Sequence, residues 1–87
     1  MAKYELIFKK SVAKDLRALP GRDVVRILKS IRSLSREPRP PGCEKLSGRE
    51  QYRFRVGVFR IIYEIRDDAQ MVVIVKIGHR REVYRAG

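Results

Sequence analysis

Arg53, Arg55 and Arg60 are the residues of this 87-residue chain whose type and spacing point most directly to chemistry. They fall in Tyr52-Arg53-Phe54-Arg55-Val56-Gly57-Val58-Phe59-Arg60-Ile61-Ile62-Tyr63-Glu64-Ile65, which reads as two strands joined at Gly57-Val58. Glycine at the first central position with any residue second suits a type II′ hairpin turn. That turn sets Val56 opposite Phe59, Arg55 opposite Arg60, Phe54 opposite Ile61 and Tyr52 opposite Tyr63. Alternation then sends Tyr52, Phe54, Ile61, Tyr63 and Ile65 to a core face, and Arg53, Arg55 and Arg60 to the other face beside Ile62. Like charges directly across a ladder are destabilising by a few tenths to ~1 kcal/mol. An arginine cluster on a stiff sheet is rationalised if an anion sits on it, because planar guanidinium forks bind phosphate bidentately. The same residues also suit a solvated basic face, so both readings stand at this point. His79 is the one histidine and the only conventional acid–base side chain. Its alternative role is a strand-end histidine in contact with backbone.

These residues must be positioned by the elements around them. Lys3 to Lys9 alternates, with Tyr4, Leu6 and Phe8 on one side, and predicts a first strand. Ser11 suits the N-cap of a short helix whose apolar stripe is Val12, Leu16 and Leu19, ended by Pro20-Gly21. Asp23 suits the cap of a second helix with the stripe Val24, Ile27, Leu28, Ile31 and Leu34, leaving Arg22, Arg26, Lys29 and Arg32 outside. Those exposed basic residues suit a solvated face, or contact with a large RNA. Glu37 to Glu50 carries Pro38, Pro40, Pro41, Gly42 and Gly48 and reads as a loop, with Leu46 as an anchor into the core. After the hairpin, Asp67-Asp68-Ala69-Gln70 reads as a turn. Met71 to Ile77 is a continuous apolar run, hence a strand covered on both faces and ended by Gly78. His79 to Arg85 is a basic tail expected to lie close to the sheet, where Arg81 and Arg85 are further candidates for phosphate contact. The fold class is therefore α+β: an N-terminal strand, a helical hairpin and a three-stranded antiparallel meander. The helices are expected on one face of a four-stranded antiparallel sheet, with the arginine face open to a ligand and partly sheltered by the tail.

Composition narrows the partners. With 21 Lys+Arg against 10 Asp+Glu the formal net charge is +11, a balance that favours nucleic acid or an acidic protein. No helix pairs a broad apolar face with a purely basic one, and no apolar run approaches ~18 residues, so no membrane association is expected. Met1 to Glu5 lacks the apolar core of a signal peptide, which predicts a cytoplasmic protein. A chain of this length is expected to form one domain, residues 1–87. One Cys and one His cannot make an ordinary structural zinc site, so no metal or cofactor is expected. Cys43 reads as an inert loop thiol.

Four segments together carry a resemblance. They are Leu46-Ser47-Gly48; Tyr52-Arg53-Phe54-Arg55-Val56-Gly57; Phe59-Arg60-Ile61-Ile62-Tyr63; and Ile77-Gly78-His79-Arg80-Arg81-Glu82-Val83-Tyr84. With the length, element order and basic charge, the pattern resembles the RelE/ParE toxin superfamily of bacterial and archaeal type II toxin–antitoxin systems. RelE-type members cut messenger RNA in the ribosomal A site, whereas ParE-type members share the fold and poison DNA gyrase without cutting. The resemblance implies that Arg53 and Arg55 grip RNA phosphates, that Arg60 and Arg80 flank the scissile phosphate, and that Tyr84 takes part in catalysis. RelE-type toxins often carry lysine where this chain has Arg53 and Arg55. Arginine does not release its proton at physiological pH, so phosphate binding is the role left to Arg53.

Metal-independent RNA cleavage needs a 2′-OH aligned with the scissile P–O5′ bond, neutralisation of the extra negative charge in the transition state, and a proton for the leaving oxygen. Arg60 and Arg80 suit the second task by preorganised charge. Tyr84 or His79 suits the third, and a ribosome would supply the alignment. The expected function is a ribosome-dependent endoribonuclease toxin that inhibits translation. The alternatives are a gyrase poison with no chemistry and an RNA-binding module of the same fold. The expected partners are the ribosome, messenger RNA and a RelB-like antitoxin, in a heterocomplex, whose flexible acidic or amphipathic segment orders on binding.

Overall fold

The computed structural model describes residues 3–46 and 50–79. In chain order these form β1 (Glu5–Phe8), α1 (Lys10–Arg17), α2 (Gly21–Leu34), β2 (Glu44–Lys45), β3 (Gln51–Val56), β4 (Phe59–Arg66) and β5 (Met71–His79). The strands make one sheet in the order β1-β5-β4-β3-β2. The β3–β4 hairpin has the register set by its turn: Val56 faces Phe59, Arg55 faces Arg60 and Tyr52 faces Tyr63. Gly57 has φ of 60°, and Val58 does not share a positive φ, as a type II′ turn requires. A Cβ at Gly57 would stand 3.2 Å from the Arg26 guanidinium on α2. Gly57→Ala is therefore expected to lower stability by about 1–2 kcal/mol, the ordinary cost of a left-handed backbone for a residue with a Cβ. An unchanged urea midpoint would show that the turn has relaxed into another type.

The core lies between the helices and one face of this sheet. Val12, Ile27, Ile31 and Leu34 pack on Tyr52, Val56, Ile61, Tyr63, Ile65, Val72, Ile74 and Ile77. The α2 contribution is the i, i+4, i+7 stripe expected of an amphipathic helix, and each fully buried aliphatic side chain contributes about 1.5–3 kcal/mol. Tyr63 is wholly buried; its hydroxyl donates to the Pro38 carbonyl at 2.8 Å, and burial holds its pKa well above that of a free phenol.

Several details depart from the sequence reading. The sheet is mixed: β1 runs parallel to β5, Glu5 beside Met71 through Phe8 beside Ile74, and is not part of an all-antiparallel sheet. Alternation marks a strand and its buried face but carries nothing about the direction of its neighbour. A fifth strand, β2, lies inside the proline-rich loop and pairs Glu44 with Arg53 and Lys45 with Tyr52. Gly78 does not end β5, because it stays in the ladder opposite Arg60, with His79 opposite Phe59. Ser11 is not a cap. The Lys9 amide still donates to Ile74, as a continuation of the β1–β5 pairing, while its carbonyl accepts from Val12, so strand passes directly into helix. Asp23 is in the first turn of α2, where its charge suits the helix N-terminus; the cap is Pro20, whose carbonyl accepts from Asp23 and Val24. Leu46 is only half-buried, and Cys43 is the loop side chain that packs on the core. Neither helix is long and apolar enough to cross a membrane.

Candidate nucleic-acid interface

The ladder places Arg53, Arg55 and Arg60 on the sheet face away from the helices. Arg55 is directly opposite Arg60, Arg53 is opposite Ile62, and Arg60 has Gly78 on its other side. The face is less open than the alternation implies. Arg55 is exposed, but Arg53 is half-buried and Arg60 is only 5% exposed. Ile62 and Val73 on the same face are also buried.

Arg53 carries a contact that no local pattern announces. Its Nη2 lies 2.9 Å from Glu44 Oε2, across the β2–β3 pair. The loop leading to Glu44 is tied down further back. Arg39 forks onto Asp67 with contacts of 3.3 and 2.8 Å, donates to the Tyr52 hydroxyl at 3.2 Å and lies over the Tyr52 ring at 5.3 Å. Tyr4 donates to the same Asp67 carboxylate at 2.6 Å, and Tyr52 stacks on Tyr63 with centroids 5.8 Å apart. The Arg39 guanidinium first, and the Tyr4 hydroxyl second, hold Asp67 below its ordinary carboxylate range. A carboxylate with a depressed folded-state value stabilises the fold fully above the unfolded titration, near ~3.9, and loses that contribution as pH falls through the folded value. Melting temperatures of the parent and Asp67→Asn are therefore expected to differ at neutral pH and to converge in acid. A gap that stayed constant at every pH would remove the charge of Asp67 from the account.

His79 is brought to the end of β5 but not to the arginine face. It is opposite Phe59, in the row that faces the helices, and meets that ring edge-on at 6.3 Å. The register thus sets His79 and Arg60 on opposite sides of the sheet. The far half of β5 is held from the side by α1. Past the end of β1, Asp15 accepts from the Ile77 amide and from Lys76 Nζ, each at 3.2 Å. Sequence reasoning did not find Asp15, Arg39 or Glu44, whose partners are remote in the chain or sit in an unrecognised strand. Arg80, Arg81, Tyr84 and Arg85 lie outside the described residues.

Comparison with known proteins gives the class of this arrangement, two helices on a five-stranded sheet with a basic face. The family described as ParE toxin of type II toxin–antitoxin system, parDE, matches residues 6–84. The toxin RelG of Mycobacterium tuberculosis is 33% identical over 86 residues, covering 94% of this chain and 97% of that protein. The toxin–antitoxin complex RelBE2 of the same organism has a chain that superposes with a TM-score of 0.82 at 30% identity, covering 92% of this chain and 94% of that one. The archaeal RelE–RelB complex of Pyrococcus horikoshii gives 0.81 at 31% identity, covering 92% and 97%. The chain belongs to the RelE/ParE family and is a toxin of a type II toxin–antitoxin system.

Proposed function

We propose that this toxin is a ribosome-dependent endoribonuclease that cleaves messenger RNA in the A site by 2′-OH attack. The observation that carries the reading is the row of Arg53, Arg55 and Arg60 fixed on one face of a sheet whose last strand leads directly into Arg80, Arg81 and Tyr84. A β-sheet holds charges in place before substrate arrives, so little reorganisation is needed as negative charge grows on the phosphate. Arg53 and Arg55 grip flanking phosphates with Arg81 and Arg85. Arg60 and Arg80 face the scissile phosphate, and Tyr84 serves proton transfer. His79, on the helix side, supports the end of the strand. The ribosome presents the message in the alignment that such a sparse site does not create alone. A RelB-like antitoxin completes the system; the similar solved structures named as RelE–RelB and RelBE2 complexes support a heterocomplex.

The match to a family named for ParE favours a second reading, a gyrase poison with no chemistry. Mapping transcript ends after brief induction separates the two. New ends at in-frame positions of translated messages are expected. Cleaved or relaxed DNA without new RNA ends would establish the gyrase reading instead.

A further inference from the structure

We infer that Glu44 is a built-in stand-in for phosphate, which must yield before Arg53 can take an RNA phosphate, so that strand β2 sets how tightly this face holds RNA. The inference rests on the proposed RNA-binding role of the arginine face. Its basis is the geometry of one pair. Glu44 and Arg53 are direct cross-strand partners, with the carboxylate 2.9 Å from the guanidinium. The Arg53 side chain is 15% exposed and that of Glu44 is 53% exposed. The acid is therefore the more solvent-facing member of the pair, on the side from which an RNA strand must arrive.

A carboxylate and a phosphate present the same kind of oxygen acceptors to a guanidinium fork, so the two compete for one position. A phosphate that came to Arg53 with Glu44 in place would also stand close to a like charge, which opposes binding. Two further acids among the described residues share this face: Glu5 is on the opposite sheet edge, and Glu64 is at the far end of the hairpin, opposite Gln51, and is engaged by Gln51 and Arg66. Glu44 sits on a two-residue edge strand, and such edges open at little cost. Displacing it therefore needs no disruption of the core. In the free protein the contact holds the Arg53 fork in place and lowers the affinity of the face for stray polyanions.

The test measures affinity of the purified toxin for a short single-stranded RNA oligonucleotide at fixed salt, for the parent, Glu44→Gln, Arg53→Ala and the double variant. Glu5→Gln, on the opposite sheet edge, controls for net charge, and melting curves confirm that each variant is folded. Glu44→Gln is expected to bind about three- to tenfold more tightly, beyond the control, in keeping with the modest strength of a half-exposed ion pair. The gain should vanish in the Arg53→Ala background. Equal or weaker binding by Glu44→Gln, while Arg53→Ala still loses affinity, would overturn the inference and leave the RNA interface intact. A parent that binds no RNA would overturn both.

Discussion

Tyr84→Phe is expected to slow single-turnover cleavage of messenger RNA on programmed ribosomes by ~10²–10⁴, the usual contribution of a positioned proton-transfer group. The substitution removes one hydroxyl and almost no volume. If Tyr84 only anchors the tail by its ring, phenylalanine serves equally and the rate is unchanged. Arg80→Ala belongs in the same series and is expected to cost ~10²–10³, the typical loss when one donor to a developing charge is removed. His79→Gln supplies the contrast. Its ring meets Phe59 on the helix side of the sheet, so it is expected to cut at close to the parent rate. The opposite result, with Tyr84→Phe at full rate and His79→Gln inactive, would show that the proton donor has been assigned to the wrong residue. Ribosome binding measured separately keeps a loss of docking from being read as a loss of chemistry.

Arg60→Met should produce the second large effect, a ~10²–10³ fall in cleavage rate. Methionine keeps an unbranched stem of similar reach beside Gly78 and removes the charge. It also relieves the opposition of Arg55 and Arg60 across the ladder, which costs a few tenths to ~1 kcal/mol. The proposed transition-state contact would account for an arginine in that position, since stability given up for function is a common trade. Arg60→Lys should fall between, since it retains the charge and loses the planar fork. A melting curve recorded alongside establishes that the variant is folded. Parent-like cleavage by a folded Arg60→Met would make Arg60 a filler of the sheet and place the positive charge of the site elsewhere.

The parts of this fold legible in the sequence are those governed by local rules. The β3–β4 register follows from Gly57 and period-two alternation, and the α2 stripe follows from its apolar spacing. The parallel sense of β1 was not legible, because it depends on which strand lies beside it after the helices have crossed the sheet. Ser11 and Asp23 look like caps by residue type, yet at both helix starts the backbone carbonyl of the preceding residue does the work. At the candidate site, alternation placed Arg53, Arg55 and Arg60 together. It could not place Glu44 on Arg53, since a two-residue strand in a proline-rich loop leaves no periodicity to read. Nor could it join Tyr4 and Arg39 to Asp67, which are distant in sequence and meet only when the sheet closes.

The parallel pairing of β1 with β5 also bears on when the molecule can exist. β5 stands between β1 and β4, and Glu5 finds its partner only at Met71. Chains are synthesised from the N-terminus, and contacts of such long sequence separation form late because the connecting loop must first be closed. Until Met71–His79 has been made, β1 has no neighbour and Val12 has no Val72, Ile74 or Ile77 to pack against. A nascent chain therefore cannot complete its sheet, and β4, which carries Arg60, lacks its second neighbour until translation has passed the final strand. On the proposed function, the order in which the strands appear would shield the ribosome that makes this toxin for the duration of synthesis.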